Sequence, residues 1–102
     1  MNEIDGNTAL TLANEISKLP DGSFVIAFFK YNARKDQASD KLRVIEGCKT
    51  RTQLPDEVFF RDPENYFLFQ DSDGNPKTAY RILIRFIGFS HQDNKLRKIN
   101  WT

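Results

Sequence analysis

Clusters of turn-forming residues divide this 102-residue sequence into short apolar segments. Gly, Pro, Asn and Asp favour turns because they adopt, or fix, the backbone angles that turns require. The segments between the clusters are rich in β-branched and aromatic residues, which favour strands. The chain is therefore predicted to form one mainly β domain over residues 1–102. The clusters are Pro20-Asp21-Gly22, Leu54-Pro55-Asp56, Asp62-Pro63-Glu64-Asn65, Asp71 to Pro76 and Ser90 to Asn94.

One segment near the N-terminus has helical periodicity instead. Its apolar residues recur every three or four positions, as on one face of an amphipathic helix. Asn7 or Thr8 is the expected N-cap, and Pro20 ends the pattern. We predict a short helix over about residues 8–19, which needs to dock on the rest of the domain to be stable. The apolar positions are Ala9, Leu12, Ala13, Ile16 and Leu19.

The next segments predict the first two strands. Ser23–Tyr31 is apolar on both alternating faces, which indicates a strand covered on both sides. Asn32–Asp40 is polar and is predicted to be a loop. A second strand runs from Lys41 to about Thr52, with Gly47 as the site of a bulge or bend.

The remaining segments predict three or four more strands. Val58–Phe60 is a short strand or loop anchor, and Tyr66–Phe69 is a buried strand. Lys77–Phe89 has the clearest alternation in the chain, and Leu96–Trp101 closes the domain. The predicted fold is a small antiparallel barrel or sandwich of five or six strands over about residues 23–101, with the helix at one end.

Several functional classes find no support in the sequence. No apolar run approaches the roughly 18 residues that span a bilayer, so no membrane association is expected. The N-terminus lacks the basic and apolar regions of a secretory signal. Cys48 is the only cysteine, which excludes an intramolecular disulfide and favours a reducing compartment.

No catalytic residue, cofactor or metal site is expected. His91 is the only histidine, lies in a polar turn and has no cysteine or second histidine near it to share a zinc ion. Cys48 is interpreted as a small buried apolar residue, with a reactive thiol as the minor alternative. Asp71 and Asp73 resemble half of a calcium loop, but Gly74 comes too early and no glutamate follows at the required position.

The charged residues form blocks of alternating sign. Residues 1–29 carry a net −3, residues 30–54 a net +4, residues 55–74 a net −5 and residues 75–102 a net +5. Such blocks can give copies of the chain complementary patches, or present a basic face to a polyanion. The alternative is that they interleave in space and cancel.

Two sets of candidate contact residues follow. Large rings and an exposed terminal strand favour association with proteins, and the candidates are Phe59, Phe60, Tyr66 and Trp101. Cations on the strand at 77–89 and on the last strand, beside one aromatic ring, favour nucleic-acid contact as the alternative. Those cations are Arg81, Arg85, Arg97 and Lys98, with Trp101 as the ring.

The order of several motifs carries a resemblance from Leu19 onward. The motifs are Leu19-Pro20-Asp21-Gly22-Ser23-Phe24, Gly47-Cys48-Lys49-Thr50-Arg51, Tyr66-Phe67-Leu68-Phe69 and Tyr80-Arg81-Ile82-Leu83-Ile84-Arg85-Phe86. Their order resembles small β-rich proteins of tailed phages and prophages of gut bacteria, encoded near virion genes. The resemblance implies a non-enzymatic virion or assembly protein in the virion or the host bacterial cytoplasm, with other virion proteins or its own copies as partners. It transfers no functional residue.

Overall fold

The computed structural model describes residues 3–32, 37–59 and 63–101, in which one helix packs against a seven-stranded sheet. The elements are β1 (Glu3–Asp5), α1 (Gly6–Ser17), β2 (Phe24–Asn32), β3 (Gln37–Thr50), β4 (Tyr66–Gln70), β5 (Pro76–Tyr80), β6 (Ile84–Phe89) and β7 (Arg97–Asn100). Short 3₁₀ turns lie at Pro63–Asn65, Arg81–Leu83 and Ser90–Gln92. The prediction of a mainly β fold with one helix is confirmed. The sheet is not closed, and it has more strands than the five or six predicted.

The strand order in the sheet is β1-β7-β6-β2-β3-β4-β5. Neighbouring strands are antiparallel except β1 and β7, which are parallel. The sequence analysis missed β1, because three residues are too few for a visible alternation. Strand β2 lies at the centre of this order, and both of its alternating faces carry buried residues: Phe24, Ile26 and Phe28 on one face, and Val25 and Ala27 on the other.

Strand β3 is bent, and it belongs to two parts of the sheet. Most of it pairs with β2, whereas only Lys49 and Thr50 pair with β4. The bend coincides with a register shift against Phe24–Ile26, and Gly47 within it has a φ of 64°. The predicted bulge at Gly47 is confirmed. The loop predicted over 32–40 is wrong in its second half, because β3 begins at Gln37.

Helix α1 begins two residues earlier than predicted. Its N-cap is Asp5, whose carboxylate accepts a hydrogen bond from the backbone N–H of Thr8 at 3.1 Å. The predicted caps Asn7 and Thr8 therefore lie inside the helix, because the Asp5 side chain accepts a free backbone N–H of the first turn. No helix in the described part of the chain is long and apolar enough to cross a membrane.

The core lies between α1 and the inner face of the curved sheet. The helix contributes its buried side, and β2 contributes Phe24, Ile26 and Phe28. Strands β4 and β5 curl over the same core, so that the Phe24 and Phe67 rings lie 5.8 Å apart. Cys48 is fully buried here, as expected. The other core residues are Ile4, Ala9, Leu10, Ala13, Ile16, Phe69, Ala79, Ile84, Ile87, Phe89 and Ile99.

The single strand predicted over Lys77–Phe89 is wrong. A 3₁₀ turn at Arg81–Leu83 divides it into β5, which pairs with β4, and β6, which pairs with β2 and β7. The alternation of apolar residues continues through the turn, so it does not reveal where the chain passes from one part of the sheet to the other. Arg81 and Arg85, both predicted to lie on this one strand, are therefore in the turn and in β6, respectively.

We predict that Gly47→Ala destabilises the fold more than Gly74→Ala. Both glycines have positive φ, 64° and 81°, and an alanine there costs about 1–2 kcal/mol. At Gly47 an added Cβ would also meet the Ser72 Cβ at 3.0 Å, whereas at Gly74 nothing lies within 4 Å. Urea unfolding of both variants measures the difference. Equal losses of unfolding free energy in the two variants would contradict the prediction, because they would show that the bend at Gly47 tolerates a side chain.

Candidate protein-binding site

Arg51 follows β3 directly and joins three segments of the chain, namely β4, β5 and the loop after β3. Its Nε donates to the carbonyl oxygen of Phe69 at 2.9 Å, and its Nη2 donates to that of Lys77 at 3.0 Å. Its Nη1 donates to the carbonyl oxygen of Thr52 at 3.1 Å. Both terminal nitrogens bind Glu57, at 2.9 and 2.8 Å. The guanidinium therefore holds β4, β5 and the loop after β3 in one arrangement.

Glu57 fixes the loop to this arginine. The side chains of Arg51 and Glu57 are only 8% and 15% exposed. Glu57 also accepts from the backbone N–H of Leu54 at 3.1 Å. The hydrogen bond from Arg51 lowers the pKa of Glu57 below its usual value, against the opposing effect of desolvation. An ionised Glu57 thus anchors the segment that leads to Phe59.

Four aromatic rings from separate segments meet beside this anchored loop. Phe59 and Tyr66 stack with ring centroids 4.9 Å apart, and Tyr66 and Tyr80 stack at 5.4 Å. Tyr31, near the end of β2, meets Tyr80 edge-on at 5.0 Å. We call Tyr31, Phe59, Tyr66 and Tyr80 the aromatic cluster. It joins the end of β2, the loop after β3, the start of β4 and the end of β5.

The aromatic cluster lies on the side of β4 and β5 that faces away from the core. Phe67 and Ala79, next in sequence to two of its members, are buried in the core, whereas all four cluster rings are half-buried. Two aliphatic residues beside it in sequence are strongly exposed: Val58 at 89% and Ile82 at 60%. The cluster and its flanks form an apolar surface that no described residue covers fully.

Two of the four predicted protein contacts lie in the aromatic cluster. Phe59 and Tyr66 are brought together by the loop and β4, while Phe60 lies outside the described residues. Trp101 is elsewhere: it packs against Gly6, and its Nε1 donates to the carbonyl oxygen of Ile84 at 2.8 Å. Trp101 thus joins the end of the chain to the start of α1 and to β6.

The sequence pattern does not identify the other two members of the aromatic cluster, Tyr31 and Tyr80. Tyr31 ends a segment that is predicted as a buried strand, and Tyr80 lies within the long segment that is predicted as one strand. Tyr66 and Tyr80 are directly paired across β4 and β5. The Asp71–Pro76 turn sets which residues of β4 and β5 lie opposite each other. Deriving this hairpin register from the sequence would have identified the pair.

The four predicted nucleic-acid contacts do not share one strand face. Arg81 lies in the 3₁₀ turn and donates to Asn7 Oδ1 at 3.2 Å, while Arg97 donates to the carbonyl oxygen of Glu3 at 3.2 Å. Arg97 pairs with buried Ile87, whereas its neighbour Lys98 pairs with Phe86 on the outer side of the sheet. Arg85 and Lys98 are exposed.

A shallow groove of about 430 Å³ separates α1 from β3 and β4. Its polar lining includes Asn14, which accepts from the hydroxyl of Thr50 at 3.1 Å. The arginines that line it, Arg51 and Arg81, already donate to the chain itself. Arg51 is also paired with Glu57, whereas the acceptor of Arg81 is a neutral amide oxygen.

The residues considered for catalysis and metal binding are not assembled into a site. Burial, together with the charge of Asp71, raises the pKa of Cys48 to about 12, so its thiol stays protonated. His91 is exposed in the turn after β6. Within the described residues, no three His, Cys, Asp or Glu side chains lie close enough to hold a metal ion. Asp71 instead caps its own turn, accepting from the backbone N–H groups of Asp73 and Asn75 at 3.0 Å.

Comparison with protein-family models, curated proteins and solved structures finds no match to this chain.

We predict that Glu57→Gln lowers the free energy of unfolding at neutral pH by about 2 kcal/mol, because hydrogen bonds to a charged group contribute about this much. The matched control is Glu15→Gln, which removes an exposed pair with Lys18 and should cost less than about 0.5 kcal/mol. Urea unfolding measures both values.

The contribution of Glu57 to the free energy of unfolding changes with pH in a defined direction. Since the folded state lowers the pKa of Glu57 below 4.5, its contribution is present above that pH and is lost as the pH falls through the lower, folded value. The difference in free energy of unfolding between the native protein and Glu57→Gln should therefore become smaller in acid. A difference that does not change with pH would contradict the role given to the Glu57 carboxylate. A loss of unfolding free energy no larger than that of Glu15→Gln would contradict it too.

Proposed function

We propose that this chain is a non-enzymatic phage structural or assembly protein, which acts through protein–protein contacts made by the aromatic cluster. The observation that carries the proposal is the meeting of four half-buried rings from four segments on the outside of the sheet. The phage assignment is supported by the resemblance of the sequence motifs to small proteins encoded near virion genes. The proposed location is accordingly the virion or the host bacterial cytoplasm.

Aromatic side chains suit this role for physical reasons. They bury a large apolar area with few rotatable bonds, and they are enriched among the residues that dominate protein interfaces. In the aromatic cluster the rings already stack on one another at 4.9 and 5.4 Å. A partner therefore meets a surface whose side chains are largely ordered in advance, which reduces the entropy lost on binding.

The anchored loop supports the same proposal. Glu57 lies two residues before Phe59 and is held by two hydrogen bonds from Arg51. Without that pair the loop would be free to carry Phe59 away from Tyr66. This shielded ion pair thus lies next to the surface that we propose for binding.

Nucleic-acid binding is the second candidate function. The observation that favours it is a pair of exposed cations, Arg85 and Lys98, beside half-buried Phe86 on the outer side of β6 and β7. Cations next to a ring can contact a phosphate backbone and a base together. It ranks second because Arg97 and Trp101 are engaged by the chain itself.

Selection from a displayed library of random peptides tests the first candidate. We expect the native protein to enrich a family of peptides, and Val58→Asp to weaken their binding at least tenfold by placing a charge beside the aromatic cluster. Val58 is 89% exposed, so this variant keeps the fold. The matched control is Leu96→Asp, at an exposed aliphatic residue before β7, which should bind as the native protein does.

Three outcomes of these experiments count against the proposal. One is a selection that enriches no peptide family, and another is equal binding by Val58→Asp and the native protein. The third is tight, salt-sensitive binding of single-stranded oligo(dT) that is weakened by Arg85→Glu and Lys98→Glu, which would establish the second candidate instead.

A further inference from the structure

The groove between α1 and strands β3 and β4 is bounded at each end by a side-chain hydrogen bond. At one end Arg81, in the turn after β5, donates from its Nη2 to Asn7 Oδ1 at 3.2 Å. At the other end the hydroxyl of Thr50 donates to Asn14 Oδ1 at 3.1 Å. The two asparagines are seven residues apart on the helix, so their Cα atoms are separated by about 10 Å along its axis. The volume of about 430 Å³ is within the range of small-molecule sites.

The groove has a polar side and an apolar floor. Asn7, Thr11 and Asn14 all line it, and their spacing of four and three residues places them on one face of α1. Leu10 and Phe67 also line it and are only 7% and 8% exposed. A ligand in the groove can therefore form hydrogen bonds along the helix while its C–H groups contact the floor.

Two arginines line the groove, but only one of them is balanced by a carboxylate. Arg51 binds both carboxylate oxygens of Glu57. Arg81 is half-buried, and within the described residues its guanidinium has no ion pair and no hydrogen bond other than the one to Asn7. No aspartate or glutamate in the described part of the chain lines the groove. The groove therefore carries one unbalanced positive charge, at its Arg81 end.

The hydrogen bonds at the two ends leave donors for a ligand. A guanidinium only donates, so the Asn7 oxygen must face Arg81 and the Asn7 Nδ2 is left to donate elsewhere. Arg81 itself uses one N–H group of its guanidinium in this bond. Asn14 Oδ1 accepts from Thr50, so Asn14 Nδ2 is left in the same way. Donors beside an unbalanced cation match the oxygens of an anion.

We propose that this groove binds a small hydroxylated carboxylate of the sugar-acid class, with the carboxylate on Arg81 and hydroxyl groups toward Asn14. The planar guanidinium can bind both oxygens of a carboxylate, and its single charge balances a monoanion better than a phosphate dianion. Thr11 Oγ1 donates to the carbonyl oxygen of Asn7 at 2.9 Å and can still accept from a ligand hydroxyl. The inference goes beyond the proposed function, since no ring of the aromatic cluster lines the groove.

An NMR titration of the isotope-labelled protein with D-glucuronate tests the proposal. The sugar acid should shift the side-chain signals of Arg81, Asn7 and Asn14. Arg81→Gln keeps a donor for Asn7 but removes the charge, so it should weaken binding at least tenfold. Arg81→Lys keeps the charge without the planar fork and should bind with intermediate affinity. The matched control is Arg85→Gln, at an exposed arginine of β6 outside the groove, which should bind as the native protein does.

Simpler probes separate the parts of the ligand. Acetate carries the carboxylate without hydroxyl groups, glucose carries the hydroxyl groups without a charge, and inorganic phosphate is the alternative anion. Each should bind more weakly than D-glucuronate. Asn14→Ala should weaken the binding of D-glucuronate and leave that of acetate unchanged, because acetate is too short to reach from Arg81 to Asn14.

Several outcomes would overturn the inference. They are groove signals that D-glucuronate does not shift, and equal binding of D-glucuronate by the native protein and Arg81→Gln. Glucose that binds as tightly as D-glucuronate would show that Arg81 does not recognise a carboxylate, and tighter binding of phosphate would assign the groove to a different anion. Should Arg81→Gln not fold, the comparison of glucose with D-glucuronate on the native protein still decides. The proposed function fails separately, through peptide binding that Val58→Asp leaves unchanged.

Discussion

The bend of β3 at Gly47 is the constraint on which the rest of the structure depends. Because Gly47 adopts a φ of 64°, one strand pairs with β2 before the bend and with β4 after it. The curved sheet that results encloses Phe24 and Phe69 against the helix. The same bend separates β4 from the first part of β3. One backbone conformation thus determines how the sheet encloses the core.

Arg51, four residues after the bend, holds the aromatic cluster in place. It hydrogen-bonds to carbonyl oxygens of β4 and β5 and to both carboxylate oxygens of Glu57, with little exposure to solvent. Removing one partner of a shielded ion pair of this kind destabilises a protein strongly, mainly because the other charge is then left without its partner. The aromatic cluster therefore depends on contacts made by a residue that lies shortly after the bend.

Local pattern predicted those features that depend on local sequence. The central strand, the bulge at Gly47 and the burial of Cys48 follow from side-chain periodicity and backbone preference. The helix ends at Ser17, before the end near residue 19 that was predicted from Pro20. The division of Lys77–Phe89 does not, because Arg81–Leu83 keep the alternation while turning. The aromatic cluster was found only in part: Phe59 and Tyr66 lie close in sequence, but Tyr31 and Tyr80 join them through strand pairing. Arg51 gave no signal, since three of its acceptors are backbone carbonyls, which carry no sequence pattern.

Hydrogen exchange followed by mass spectrometry, compared between the native protein and Gly47→Ala, tests most directly whether the bend of β3 holds the two parts of the sheet together. Peptides that cover Tyr66–Gln70 should exchange faster in the variant, because β3 pairs with β4 only through Lys49 and Thr50, directly after the bend. Peptides that cover Phe24–Phe28 should be less affected, since β2 also pairs with β6. Exchange at Tyr66–Gln70 that is unchanged in the variant would contradict the account.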